Sequence, residues 1–319
     1  RDSIEGGSPA RAMTFMEEKN TAALMPVNTE PGNYMALEEE YSSFKKSKAV
    51  IFQAPYDKTT TYIHGAVNGP AAIIDASKYM ERFDDELNQE TFKIGIHTME
   101  PLAIQDLSSE DMVEKVHVQA LELLKANKFP VMLGGEHTVS IGAVKAFKEI
   151  FPNLSVLQLD AHYDLRDVYF GSKLNHGCVA RRLSEICPIV QTGTRSMSKE
   201  DKEYLSSDTS GRVKSISVYD ILEMPMWKDV VTNSLSENVY ITIDLDVFDP
   251  ALVPATGTPE PGGFGWYETL SLLREVTKDK KVVGFDVVEL CPLKGSIASD
   301  FLAAKLIYRL LGYIFPAKK

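Results

Sequence analysis

Three short stretches of this sequence concentrate side chains that bind cations. Asp160-Ala161-His162-Tyr163-Asp164 sets a carboxylate, an imidazole and a carboxylate at every second residue. Asp244-Leu245-Asp246 repeats the carboxylate spacing, and Gly134-Gly135-Glu136-His137 ends on a further imidazole. In an extended chain the side chains at i, i+2 and i+4 project to one side, so Asp160, His162 and Asp164 can converge on one point. Four aspartates and two histidines in one cleft carry too much negative charge to stand unpaired, because like charges in a low dielectric repel by kilocalories. Divalent cations are the natural compensation, and bridging carboxylates suit a pair of ions about 3.5–4 Å apart. Oxygen-rich ligation with some imidazole favours Mn²⁺ over Zn²⁺, which more often collects sulfur and several histidines. None of the three cysteines, Cys178, Cys187 and Cys291, lies in these stretches.

Such a cluster needs a fold that brings distant segments together, and the hydrophobic pattern supplies one. Apolar or alternating runs predict strands over 49–53, 91–96, 130–133, 154–159, 189–191, 213–218, 239–243 and 281–288. Between them lie helical patterns over 69–77, 138–150, 178–186, 199–206, 219–235, 266–277 and 299–314. A further helix opens at Ser108-x-x-Asp111, which resembles a capping box. This alternation predicts an α/β fold: a single-domain, three-layer α/β/α arrangement on a mostly parallel, roughly eight-stranded sheet. A closed (β/α) barrel satisfies the same alternation, since strand order is not written in sequence. The cation-binding stretches all follow predicted strands, and ligands of open α/β sheets bind beyond the carboxyl ends of strands. Residues 45–319 are expected to form the domain, 16–44 an N-terminal extension, and 1–15 a leader with Gly6-Gly7-Ser8-Pro9-Ala10 at its centre.

Composition narrows the function classes. A chain of 319 residues makes one large domain or two modest ones, and 44% apolar with 25% charged residues is ordinary globular usage. Lys plus Arg number 34 against 45 Asp plus Glu, a net charge of −11, which argues against nucleic acid or an anionic membrane as partner. No apolar stretch approaches the roughly 18 residues of a membrane span. Residues 1–33 hold no apolar core of a secretory signal, and three cysteines make no disulfide framework, so a cytoplasmic location is expected.

The three stretches, with Val247-Phe248-Asp249-Pro250 and Ala255-Thr256-Gly257-Thr258-Pro259, resemble the signature blocks of the ureohydrolase superfamily, which contains arginase and agmatinase. Gly284-Phe285-Asp286-Val287-Val288-Glu289-Leu290-Cys291-Pro292 is similar to its last block, and Gly65 with Gly69-Pro70-Ala71-Ala72-Ile73 to its first. The similarity spans about residues 45–315 in the family's order. It implies an arginase-like fold and two Mn²⁺ per subunit. One ion would be held by His137, Asp160, Asp164 and Asp244, and the other by His162, Asp160, Asp244 and Asp246, so that Asp160 and Asp244 bridge. A hydroxide between the ions would attack the guanidinium carbon of a small-molecule substrate. Glu289 would pair with the guanidinium, His176 would pass a proton to the leaving amine, and Thr258 would lie beside the bound group. Urea and an amine would leave, and the subunits would form a homotrimer or homohexamer.

Residues 165–175 lack the small hydroxyl and amide pattern of arginase and look more like prokaryotic agmatinase-type members, which points first to agmatine, cleaved to putrescine and urea. Asp167 suits a distal ammonium such as agmatine's, whereas Arg166 or Lys173 suits the carboxylate of a guanidino acid such as guanidinobutyrate or arginine. A two-metal phosphoesterase using Arg166 or Arg195 is disfavoured by the lack of a glycine-rich phosphate cradle. A catalytically silent family member is disfavoured by the complete ligand set. Among the remaining candidates, His97 and His117 are expected in structural roles, Asp249 as a turn former, and Trp266 and Tyr267 as packing residues, while a place at the pocket mouth is the lesser reading of His64.

Overall fold

Eight strands run through the chain: β1 (Ala49–Ala54), β2 (Ile96–Thr98), β3 (Phe129–Gly134), β4 (Leu154–Leu159), β5 (Ile189–Thr192), β6 (Val213–Ile216), β7 (Asn238–Asp244) and β8 (Lys281–Val288). They belong to a computed structural model that describes residues 32–317. The leader over residues 1–15, and the extension up to residue 31, lie outside the described residues. The strands pair in the order β2-β1-β3-β8-β7-β4-β5-β6, every pair parallel. With β2 at one edge and β6 at the other, the sheet is open, which excludes the barrel.

Parallel sheets are covered on both faces, and their strands read as near-continuous apolar runs. Every residue of β1 and β4 is buried accordingly. Alternate side chains feed two cores: Ala49 and Ile51 enter one, Val50, Phe52 and Ala54 the other. The helices Gly69–Ser77, Trp227–Ser234, Trp266–Asp279 and Ala298–Ile314 complete the first core. Ser109–Lys125, Ser140–Ile150 and Val179–Ile186 complete the second, giving three layers. Helix starts follow local chemistry. Ser108 accepts from the Asp111 amide at 3.1 Å, and Ser198 and Ser217 form reciprocal caps with Asp201 and Asp220.

One strand departs from expectation. Thr91–Ile94 is a 3-10 turn, and β2 begins only at Ile96. Alternation over so few residues does not separate a strand from a turn. Here Phe92 is drawn inward, its amide donating to the Tyr308 hydroxyl at 3.1 Å, and Gly95 turns the chain at φ +80°. The strand expected to reach residue 218 ends at Ile216, because Ser217 caps the next helix. Among the described residues no helix is long and apolar enough to cross a membrane.

The strand order matters most at its centre. β3, β8, β7 and β4 are consecutive neighbours, so the chain following them emerges side by side. Gly135 tightens this edge: its amide donates to Ala54 O at 2.9 Å, and the Glu136 amide to Tyr56 O at 2.8 Å. A Cβ on Gly135 would lie 2.0 Å from Tyr56 O and 2.7 Å from Tyr56 N. Gly135→Ala is therefore expected to lower the unfolding free energy by about 1–3 kcal/mol through backbone displacement. Denaturant midpoints check this, and an unchanged midpoint would contradict the close approach.

Candidate metal centre

β4 ends at Leu159 and the next residue, Asp160, stands between two histidines. His137 Nδ1 lies 3.2 Å from Asp160 Oδ2, 3.3 Å from Asp244 Oδ2 and 3.7 Å from Asp164 Oδ2. On the other side His162 Nδ1 lies 2.9 Å from Asp246 Oδ2 and 3.7 Å from Asp160 Oδ1. The two oxygens of Asp160 thus face different imidazoles. His137, Asp160 and Asp164 form one potential cation site, and Asp160, His162 and Asp246 form another, each with its donor atoms within 4.8 Å of one another. Asp244 approaches through the oxygen facing His137, while its Oδ1 accepts from the Asp246 amide at 2.9 Å. Asp160 is the residue shared by the two groupings, a narrower bridging pattern than the family resemblance implies. Asp164 joins through a backbone turn at φ +51° rather than by continued extension, so simple alternation does not explain its position.

The donors are held from behind by residues to which the sequence reading gave no supporting role. The Thr242 hydroxyl donates to Asp286 Oδ1 at 2.6 Å, and Tyr240 donates to the other oxygen at 2.7 Å. With its proton so committed, Thr242 accepts from His137 Nε2 at 2.8 Å. In the neutral ring Nδ1 of His137 then carries the lone pair, and this atom is buried without a hydrogen-bond partner among the carboxylates. A lone pair facing carboxylate oxygens at this range is a donor set for a cation. Gln158 donates to Asp160 Oδ2 at 2.7 Å and is itself held by Gln191 at 3.0 Å. Arg195 donates to the carbonyls of Gly193, Asp246, Val247, Phe248, Glu260 and Pro261. It staples the chain after β5 to that after β7. The visible signals for these residues were a charge and polar groups inside apolar strand runs, Asp286, Thr242 and Gln158, which burial permits only with partners.

The charge balance points the same way. Burial and neighbouring carboxylates push Asp164 and Asp244 well above the ordinary carboxylate range. Burial also opposes the charge on Asp160, but the His137 and His162 imidazoles outweigh it and hold that group below the range. Burial disfavours protonated His137 and His162, yet the surrounding aspartates raise both. The residues present therefore fit a pair of divalent cations, which would neutralise this set without protons.

A cavity of about 220 Å³ opens above the donors, walled by Thr61, His162, Asp164, Arg166, Tyr169, His176, Asp244 and Thr258. His176 turns Nε2 to the Thr61 hydroxyl at 3.1 Å and Nδ1 to Glu289 Oε1 at 3.9 Å. Burial and the two other imidazoles push its pKa down to about 4. Glu289 follows β8 in a left-handed backbone conformation, φ +65°, and its Oε1 accepts from the His137 amide at 2.7 Å. Burial and the nearby Glu136 charge push its pKa up to about 8.

Other candidates fall elsewhere. Asp167 accepts from Arg182 at 2.6 Å and lies 3.6 Å from Lys173, so neither Asp167 nor Lys173 stands free toward the cavity. Of the residues proposed to read the substrate tail, Arg166 alone lines it, its guanidinium 4.4 Å from the Tyr169 ring centre. Arg195 spends its donors on carbonyls and is not a phosphate partner. His64 faces solvent beside Asp57 instead of the pocket mouth, because Asp57 also accepts the Gly65 amide and anchors the loop. His97 bonds Ser42 O, His117 sits between Glu114 and Glu149, and Asp249 accepts amides from Ala251, Gly262 and Gly263 as a turn former does. Trp266 packs on the core, but Tyr267 is 82% exposed.

Two outcomes test the centre by metal titration and elemental analysis. Asp160→Ala is expected to lose both cations together, whereas two retained equivalents would sink the shared site. Thr242→Val is expected to weaken metal affinity about 10–100-fold without changing the far-ultraviolet circular dichroism, because it frees the His137 ring.

Comparison with known proteins agrees with this geometry. The Arginase family model matches residues 47–312. An N(1)-aminopropylagmatine ureohydrolase of Synechocystis is 37% identical over 286 residues, covering 86% of this chain and 92% of the relative. An agmatinase of Pyrococcus horikoshii is 36% identical over 272 residues, covering 84% and 92%. The crystal structure of an agmatine ureohydrolase of Thermoplasma volcanium superposes with a TM-score of 0.78 at 29% identity, covering 89% of this chain and 94% of that one. With an open eight-stranded parallel sheet, paired histidine–aspartate clusters beyond its central strands and these relatives, the chain belongs to the Arginase family.

Proposed function

We propose that this chain is a ureohydrolase with two Mn²⁺ per subunit that cleaves agmatine to putrescine and urea. The observation that carries the reading is Asp160 shared between two imidazole–carboxylate groups at the floor of a small cavity. When bound, the two ions supply an activated water and charge stabilisation at the reacting carbon. The chain's own residues do the rest. Glu289, whose Oε1 accepts the His137 amide, would pair its carboxylate with the guanidinium in a charge-assisted contact. His176, held at Nε2 by Thr61, delivers a proton from Nδ1, on its Glu289 side, to the departing amine. Thr258 closes the wall beside the guanidinium. The reading carries with it a cytoplasmic homotrimer or homohexamer. A second reading, N(1)-aminopropylagmatine as the substrate, is favoured by the name of the Synechocystis relative.

Urea release from Mn²⁺-loaded protein tests both, with agmatine, N(1)-aminopropylagmatine, arginine and 4-guanidinobutyrate at equal concentration. Preference for agmatine supports the first reading, and preference for the aminopropyl derivative moves the assignment to the second. Preference for 4-guanidinobutyrate would overturn both and make Arg166 the carboxylate partner. No urea from any of them, with metal bound, would overturn the activity. His176→Ala is expected to keep its metal and lose about 10²–10⁴-fold in kcat. Full turnover in that variant would remove His176 from proton transfer.

A further inference from the structure

Glu136 precedes a proposed metal ligand, yet its carboxylate bonds to Thr59 and Thr60 and not to the donor cluster. Its carboxylate is fully buried, and its hydrogen bonds go to one short loop. Oε2 accepts the Thr59 amide at 2.6 Å and the Thr60 amide at 3.1 Å, and Oε1 accepts the Thr59 hydroxyl at 2.7 Å. That hydroxyl, its proton given to Glu136, accepts the amide of His176 at 2.9 Å. Two residues on, Thr61 meets His176 Nε2 at 3.1 Å. The loop therefore grips His176 at its backbone and at its ring, and Glu136 grips the loop.

We propose that Glu136 is a positioning residue for His176, acting through Thr59 and the 59–61 loop. This rests on the reading of His176 as the proton donor. A buried carboxylate is costly unless its acceptor capacity is filled. Here the loop fills it with two consecutive amides and a hydroxyl, a set of donors that only an acceptor-only group satisfies. Glutamine has the same shape but turns an NH₂ toward one of these donors. The Thr59 hydroxyl must then turn its proton away from residue 136, toward Thr138 Oγ1 at 3.3 Å, which resets the group that accepts the His176 amide. The segment that offers His137 to the metals thus also sets where His176 stands, so both groups keep one register. Misplacing a reacting group by about 1 Å costs on the order of 10²-fold in rate.

The test is a double-mutant cycle on the full-length, Mn²⁺-loaded protein, with kcat, KM and bound metal read for each variant. Glu136→Gln is expected to lower kcat about 10–100-fold while KM and metal content stay within about twofold. In the His176→Ala background it should cost nothing further. Thr59→Val, which keeps the carboxylate and removes the hydroxyl, should reproduce the kcat loss, and Thr59→Ser should recover most of it. Thr59→Val and Thr59→Ser decide the matter if Glu136→Gln fails to fold or loses metal. Wild-type kcat in Glu136→Gln or Thr59→Val, or losses that add to that of His176→Ala, would overturn the positioning role while leaving His176 in place. Full kcat in His176→Ala itself would overturn the proton-donor reading, and the positioning role with it.

Discussion

Asp160 holds a charge between two imidazoles in a place closed to water, and the rest of the molecule is arranged to make that possible. An isolated buried carboxylate would neutralise itself by taking a proton. This one is held by His137 and His162 on opposite sides and by Gln158 from behind. Asp164, Asp244 and Asp246 then crowd the same space, which raises the demand for positive charge beyond what two histidines meet. A pair of divalent cations satisfies that demand with fixed geometry. The carboxylate cluster is thus a liability for stability and an asset for binding, and a rigid frame holds its members in place.

That frame is the centre of the parallel sheet. β3, β8, β7 and β4 deliver His137, Glu289, Asp244 and Asp160 from neighbouring strand ends, so the donors are fixed by backbone hydrogen bonds more than by loop packing. A relay inside the sheet, Tyr240 and Thr242 on Asp286 and then His137 on Thr242, sets the ring's tautomer. Where the chain leaves the strands it takes conformations that side-chain-bearing residues seldom adopt, at Asp164 and Glu289. Each left-handed residue costs about 1–2 kcal/mol, which surrounding contacts must offset. Both lie at the donors, where the turn aims the carboxylate into the site.

The cavity wall is built from different material. Thr61, Tyr169, His176 and Thr258 come from connecting segments, anchored piecewise by polar groups such as buried Glu136 and half-buried Arg195. The pairing of exposed Asp167 with Arg182 shows how a charge that looks decisive in a linear reading is engaged outside the cavity. Arg166, laid over Tyr169, is the cation left facing the interior.

The sequence by itself determined the α/β class, because strand and helix periods alternate from residue 49 to 314 and burial on both sheet faces demands apolar strands. It also displayed six candidate donor residues, since three groups of carboxylates and imidazoles, each just past an apolar run, coincide in one α/β pattern. It did not contain strand order, so an open sheet and a barrel were equally compatible until β2 and β6 took the two edges. Nor did spacing explain Asp164, which arrives by a left-handed turn and not by alternation. The partners of Asp160 and His137, Gln158 and Thr242, sit in apolar strand runs, and the grip of Glu136 on Thr59 joins residues 77 positions apart. Such contacts depend on distances between segments, and only the packed sheet sets those distances.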